Sequence, residues 1–79
     1  KDASLAARLK TLYGLSATEA EVAIRISEGA SLAELAEERR TAIGTIRNQT
    51  KSVAEKLGCG RQAEIVARVR ALPPLSPSS

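Results

Sequence analysis

The sequence lacks histidine altogether and has one cysteine, Cys59, among its 79 residues. Without histidine, a zinc site with cysteine and histidine ligands is excluded, and so is the usual general base of a nucleophilic triad. We therefore expect no enzyme, no metal site and no cofactor. A lone cysteine cannot form an intramolecular disulfide, which fits a reducing, cytoplasmic interior. For Cys59 itself we expect a packing role rather than redox sensing.

Aromatic residues and long apolar runs are equally scarce. Tyr13 is the only aromatic residue, and no apolar run approaches the ~20 residues of a membrane span. No signal peptide is visible either. Apolar residues make up 43% of the chain, and nearly all are alanine, leucine, isoleucine or valine, which suits short packed helices better than a sheet. The predicted fold class is all-α. Since the chain begins at Lys1, we expect a piece of a longer protein.

Charge is divided unevenly between the two halves of the chain. Residues 1–38 carry four basic and seven acidic side chains, a net charge of −3, whereas residues 39–79 carry eight basic and two acidic ones, a net charge of +6. Such asymmetry indicates a cationic face built by the C-terminal half. A merely solvated surface is the alternative, and charge alone does not decide between them.

Two helix starts carry the same capping signal. Ser16 is followed three residues later by Glu19, and Ser31 by Glu34. This spacing lets the serine hydroxyl accept from the glutamate N–H while the carboxylate accepts from the serine N–H. Gly29 is placed to end the first of these helices in a left-handed conformation.

The third helix has the clearest pattern, with Thr41 as its expected N-cap and Gly58 as its stop. Apolar or small residues recur at spacings of three and four and should face inward: Ile43, Ile46, Thr50, Val53, Ala54 and Leu57. The outward face carries Gly44, Arg47, Asn48, Lys51 and Glu55. We name these five residues the outward face of the third helix.

A last helix is expected over residues 61–71, ended by Pro73 and Pro74. Its inward residues are Ile65, Val66, Val69 and Leu72. Residues 73–79 are predicted to form a disordered tail. Near the N-terminus, Leu5, Leu9 and Leu12 recur at helical spacing. Either a short helix or a linker that orders only beside a missing upstream domain fits residues 1–14.

The second and third helices are short and long and are joined by a tight turn, which is the helix-turn-helix layout. Arg47 can donate twice to guanine, Asn48 can pair with adenine, and Lys51 can reach guanine or a phosphate. Thr41, Thr45 and the first amides of the third helix can bind phosphate. Spacing alone leaves open the alternative of a solvated face on a core helix.

Residues 15–69 resemble the LuxR-type (GerE-like) helix-turn-helix domain of bacterial transcription regulators. The segments that carry the resemblance are LSATEAEV at 15–22, EGASLAELA at 28–36, GTIRNQ at 44–49, KLG at 56–58 and RQAEIV at 61–66. The resemblance implies a four-helix domain at 15–72, with the helix-turn-helix at about 31–50 and the recognition helix at about 42–57.

By this resemblance the protein is a sequence-specific DNA-binding effector domain. Base contacts are expected from Arg47, Asn48 and Lys51. Backbone contacts are expected from Thr41, Gly44, Thr45, Gln49, Arg39 and Arg40. A homodimer face on the last helix is expected to include Ile65, Arg61 and Arg68. Further expected partners are RNA polymerase and an N-terminal sensor or receiver domain.

The chain departs from the family pattern mainly at residues 39–42. The family usually has leucine, glycine, isoleucine or valine, and serine there, whereas this chain has Arg39, Arg40, Thr41 and Ala42. A frequent phosphate-binding lysine is also replaced by Ala33, for which the two arginines are expected to compensate. Two other functions remain open: a protein-interaction or dimerisation module, and a promoter-binding domain like region four of a sigma factor.

Overall fold

Five α-helices follow one another along residues 3–72, the part of the chain that the computed structural model describes. They are α1 (Ala3–Tyr13), α2 (Ala17–Ser27), α3 (Leu32–Glu38), α4 (Ile43–Leu57) and α5 (Gln62–Arg70). No strand occurs in this part of the chain, so the prediction of an all-α fold is confirmed. The predicted tail, residues 73–79, lies outside the described residues. Within residues 3–72, none of the helices has the length and apolar character needed to cross a membrane.

Both predicted capping boxes are present. At the start of α2, Ser16 Oγ accepts from the Glu19 N–H at 3.1 Å, and Glu19 Oε1 accepts from the Ser16 N–H at 2.9 Å. At the start of α3, Ser31 and Glu34 form the same pair of bonds at 3.0 and 2.8 Å. Each box satisfies amide groups that the first turn of a helix leaves without a partner.

The helices α2 and α4 end at glycines, as predicted. Gly29 has φ +100° and Gly58 has φ +75°, a left-handed backbone in which a side chain is strained. The α3 helix ends in the same way but without glycine, since Arg40 has φ +55°. There the Thr41 N–H donates to the Ala36 carbonyl at 3.0 Å. This bond satisfies a carbonyl group that the last turn of a helix would otherwise leave without a partner.

The start of α4 corrects the prediction for its cap. The N-cap residue is Ala42, not Thr41, and it has no side chain to accept a hydrogen bond. The Thr41 N–H instead forms a hydrogen bond at the end of α3, and Thr41 lies one residue before the N-cap of α4. The first amides of α4 are thus left without a side-chain acceptor.

An Ala42→Ser substitution should therefore stabilise the protein. A serine at an N-cap typically contributes about 1 kcal/mol relative to alanine. Urea denaturation of the variant should show a free energy of unfolding higher by roughly that amount. The matched control is Ala67→Ser, on the exposed side of α5, where serine is a poorer helix former than alanine. Equal effects of the two substitutions would argue against an uncapped α4.

One aliphatic core lies among the helices, with α2 packed against α1, α4 and α5. Its largest fully buried side chains are Leu9, Val22, Ile26, Leu35, Ile46, Val53, Leu57 and Ile65. The prediction that Ile43 faces inward is wrong, because 38% of this residue is exposed. Ile43 is the first residue of α4, and helical side chains lean toward the N-terminus, so it projects past the covered part of the helix.

Residues 3–13 of the N-terminal segment form a helix, α1. Leu9 is wholly buried in the core, and Leu5 packs against it. Leu12, the third residue of the predicted stripe, is 44% exposed. The helix therefore buries only part of its apolar face.

Arginines bind carbonyl groups at the carboxyl ends of two helices. From α5, Arg68 donates to the Leu57 carbonyl at 2.7 Å and Arg70 to the Ser27 carbonyl at 3.4 Å. These carbonyls lie where a helix leaves its acceptors without partners, and cations are favourable there. The two bonds tie α5 to the ends of α4 and α2.

Candidate nucleic-acid interface

The helix α4 has one buried and one exposed side. Ile46, Thr50, Val53 and Leu57 are buried, and their spacing of four, three and four keeps them on one side of a helix. Helix α4 is the predicted third helix, and its whole outward face is exposed, as is Thr45 beside it. The packing of the back thus holds the three residues predicted to contact bases, Arg47, Asn48 and Lys51, out in solvent.

The outward face is short enough to be presented as one surface. At 1.5 Å per residue, its two ends, Gly44 and Glu55, are about 16 Å apart along the helix axis, and its predicted base-contacting residues end at Lys51, about 10 Å from Gly44. A side chain added at Gly44 would meet nothing within 4 Å. The missing side chain at this position therefore serves no contact within the protein, and it leaves the backbone open to a close approach from outside.

The basic residues divide into those engaged within the protein and those left free. Within residues 3–72, three form ion pairs with glutamates, namely Arg25, Arg39 and Lys56. Lys10, Arg40, Arg47, Lys51 and Arg61 have no ion-pair or side-chain hydrogen-bond partner there. Three of these five free cations lie together in sequence on the α3–α4 turn and the outward face of α4. The α3–α4 turn and the first turns of α4 thus carry positive charge that no carboxylate of the described residues compensates.

Two predicted phosphate contacts are less available than the sequence suggested. The Arg39 guanidinium donates to Glu21 Oε1 at 2.7 Å, so its charge is already paired. The side-chain oxygen of Gln49 is buried and has no partner within the described residues. Arg40 and Thr45 are exposed, whereas Thr41 is half-buried. Among the six predicted backbone contacts, Arg40, Gly44 and Thr45 are thus the most open.

Glu19 is a structural residue whose full role the sequence did not reveal. Besides completing its capping box, its carboxylate accepts from Ser52 Oγ at 2.6 Å and from Lys56 Nζ at 2.8 Å. Both partners are on α4, so the start of α2 is bonded to the second half of the helix that carries the outward face. Lys56, then the Ser16 amide and Ser52, lower the pKa of Glu19 from 4.5 to about 2.

A second pair of bonds joins α2 to α3. Arg25 donates from two nitrogens to the carboxylate of Glu38, at 3.1 and 2.6 Å, and also to Glu28 at 2.8 Å. The hydrogen bonds from Arg25 lower the pKa of Glu38. The carboxylate of Glu38 on α3 thereby neutralises a cation of α2 rather than one of the free cations of α4.

The three residues predicted for a dimer face differ in how accessible they are to a partner. Ile65 is fully buried in the core, so it offers no surface to a partner and that prediction is wrong. The inward stripe of α5 accounts for its burial, because Ile65 and Val69 lie one turn apart on the same side. Arg68 is bonded to the Leu57 carbonyl. Arg61, the N-cap residue of α5, is exposed.

Cys59 is half-buried and packs against the core. Burial raises the pKa of its thiol, which lowers the fraction present as the reactive thiolate. Within residues 3–72, no group of three or more histidine, cysteine, aspartate or glutamate side chains is arranged to hold a metal ion.

Comparison with known proteins adds no relative to this picture. Neither a protein-family model, nor a curated protein, nor a solved structure matches the chain.

Proposed function

We propose that the chain binds double-stranded DNA sequence-specifically, with the outward face of α4 in the major groove. One observation carries this proposal: the free cations Arg47 and Lys51 lie on the exposed polar side of α4, and the free cation Arg40 lies in the turn just before this helix. Three other cations, Arg25, Arg39 and Lys56, are neutralised by nearby glutamates. Positive charge that forms no ion pair within the protein is available to bind a polyanion.

The arrangement of α3 and α4 supports a helix-turn-helix interpretation. The seven-residue α3 and the fifteen-residue α4 are separated by residues 39–42. In such a unit the first helix braces the second, whose N-terminal part contacts base edges. A major groove about 12 Å wide admits one helix.

The geometry of the turn also fits the proposed LuxR-type class. At the position where that family usually has glycine, Arg40 has a left-handed backbone, the conformation that glycine adopts most easily. Where the family usually has serine, Ala42 is an N-cap without a side-chain acceptor. The chain thus has the local backbone that the family's usual residues would suit. In this proposal α2 to α5 are the four helices of the domain and α1 leads into it.

The exposed residues of the proposed interface divide into those that contact bases and those that approach the DNA backbone. Arg47, Asn48 and Lys51 contact base edges, for which their donors and acceptors are suited. Arg40, Thr45 and the first amides of α4 bind phosphates, since the first amides of a helix lack intrahelical acceptors and the helix dipole favours an anion there. Gly44 lets the backbone come close to the duplex.

The proposal extends to the regulator as a whole. The domain is the effector part of a bacterial transcription regulator, attached to a sensor or receiver domain, and it acts as a homodimer that contacts RNA polymerase. With Ile65 buried, the dimer contact on α5 falls to exposed residues such as Arg61. We propose no enzymatic activity for the chain.

Selection of bound sequences from a pool of random duplexes tests this function. We expect a single enriched sequence class, because the base-reading groups are held on a rigid helix. Enrichment of nothing, by a protein that is folded and dimeric, would instead favour a protein-interaction module.

Binding to the selected duplex should weaken as salt rises. Each phosphate contact is expected to contribute roughly 0.9 to the slope of log K against log salt. Fluorescence anisotropy between low and moderate salt measures that slope. An affinity independent of salt would contradict an interface led by free arginine and lysine.

Arg40→Gly should change stability and binding in opposite directions. Glycine relieves the left-handed strain, so the free energy of unfolding should rise by about 1 kcal/mol. Removal of the guanidinium should weaken binding to every duplex similarly and reduce the salt slope by about 1. Denaturation and anisotropy on the same preparation measure both effects. Arg40→Ala is the control that loses the charge and keeps the strain; equal stability of the two variants would contradict the strain argument.

A further inference from the structure

The glutamates of the protein are almost all engaged. Of the nine acidic residues, Asp2 lies outside the described part of the chain. Six of the other eight accept a hydrogen bond from a side chain or a backbone amide: Glu19, Glu21, Glu28, Glu34, Glu38 and Glu64. Among the acidic side chains within residues 3–72, only those of Glu37 and Glu55 have no partner.

Glu55 is placed where a carboxylate does not help the fold. It lies in the last turn of α4, where the helix dipole disfavours negative charge. Lys51 is four residues before it on the same side of the helix, yet the two side chains form no ion pair. The glutamate is exposed, so packing does not require it either.

Glu55 also belongs to the outward face of α4. It lies about 6 Å beyond Lys51 and about 16 Å beyond Gly44 along the helix axis. A helix that reads bases with its N-terminal turns carries its C-terminal end toward the rim of the groove and the phosphates there. A free carboxylate at that end repels the phosphate backbone.

We propose that Glu55 is a specificity-determining residue that suppresses non-specific duplex binding by repelling phosphates from the C-terminal turn of α4. The inference rests on the proposed function. Non-specific binding comes almost entirely from phosphate attraction. On DNA of random sequence the domain is therefore held only by its charges, and the repulsion between Glu55 and the phosphates weakens this binding in full. On its own site, the base contacts fix the N-terminal turns of α4 in the groove and hold the carboxylate in one position.

The Glu55→Gln variant tests this inference. Glutamine has nearly the same helix propensity as glutamate, and no intramolecular partner is lost, so the variant should fold at least as stably. Its affinity for a random-sequence duplex at low salt should rise roughly threefold to tenfold. Its affinity for the selected duplex should rise less, so that the ratio of specific to non-specific affinity falls.

Glu37→Gln is the matched control, because Glu37 is the other free glutamate but lies on α3. It makes the same change in net charge and should leave the affinity ratio unchanged. Equal gains from the two variants would assign the effect to net charge and overturn the inference. A loss of affinity for the selected duplex in Glu55→Gln would overturn it too, by making Glu55 a contact to a cytosine amino group. If the wild-type chain bound no duplex at all, the proposed function would fail first.

Discussion

Replacement of Arg47 by alanine should weaken binding to the selected duplex by about 1–3 kcal/mol and relax the preference at one base pair. The guanidinium is exposed and has no partner within the described residues, so no internal bond must be broken to reach a base. Two parallel donors suit the O6 and N7 acceptors of guanine. Anisotropy with the selected duplex and with its single-base variants measures both effects.

The control for Arg47→Ala is Lys10→Ala. Lys10 is also exposed and free, but it lies on α1. Loss of this charge should lower the affinity for all duplexes slightly, with no change in base preference. If Arg47→Ala weakened every duplex by the same factor, Arg47 would be a phosphate contact and the assignment of base reading to it would be wrong.

Glu19→Gln should be the most destabilising polar substitution that we propose, costing about 2–3 kcal/mol. The carboxylate holds Ser52 and Lys56 of α4 as well as the Ser16 amide, and only 14% of its side chain is exposed. A neutral amide cannot accept all of these bonds with equal strength. Urea denaturation near pH 7 measures the loss. Glu37→Gln, which breaks no bond, should change the free energy of unfolding by less than about 0.5 kcal/mol.

The same carboxylate should make stability depend on acid. Because the pKa of Glu19 is lowered from 4.5 to about 2 in the folded protein, its contribution is complete above pH 4.5 and is lost as the pH falls toward 2. The free energy of unfolding of the wild type should therefore drop across this window more steeply than that of Glu19→Gln. Parallel curves for the two proteins would contradict the role given to this residue.

Local signals predicted much of the fold. The two serine–glutamate capping boxes and the left-handed glycines Gly29 and Gly58 are short-range features, and each acts as the spacing predicts. The stripe of α4 was predicted almost entirely, since burial of one side follows from the helical period. Such features depend on residues that are neighbours in sequence.

The errors arise where distant parts of the chain meet or where the sequence breaks a usual rule. Nothing local shows that Arg39 pairs with Glu21 or that Glu19 holds two residues of α4. The end of α3 carries no glycine signal in the sequence, because the left-handed residue there is Arg40. Because Arg40 and Thr41 complete the end of α3, the N-cap residue of α4 is Ala42 rather than the predicted Thr41, and it has no side-chain cap.

The proposed interface is tested most directly by titrating the isotope-labelled protein with the selected duplex and following every backbone amide by nuclear magnetic resonance. We predict that the largest shifts come from the α3–α4 turn and from the N-terminal and middle turns of α4, residues 40–51, with α1 little affected. Shifts confined to α1 or α5, or no shifts at duplex concentrations that saturate comparable domains, would contradict DNA binding through the outward face of α4.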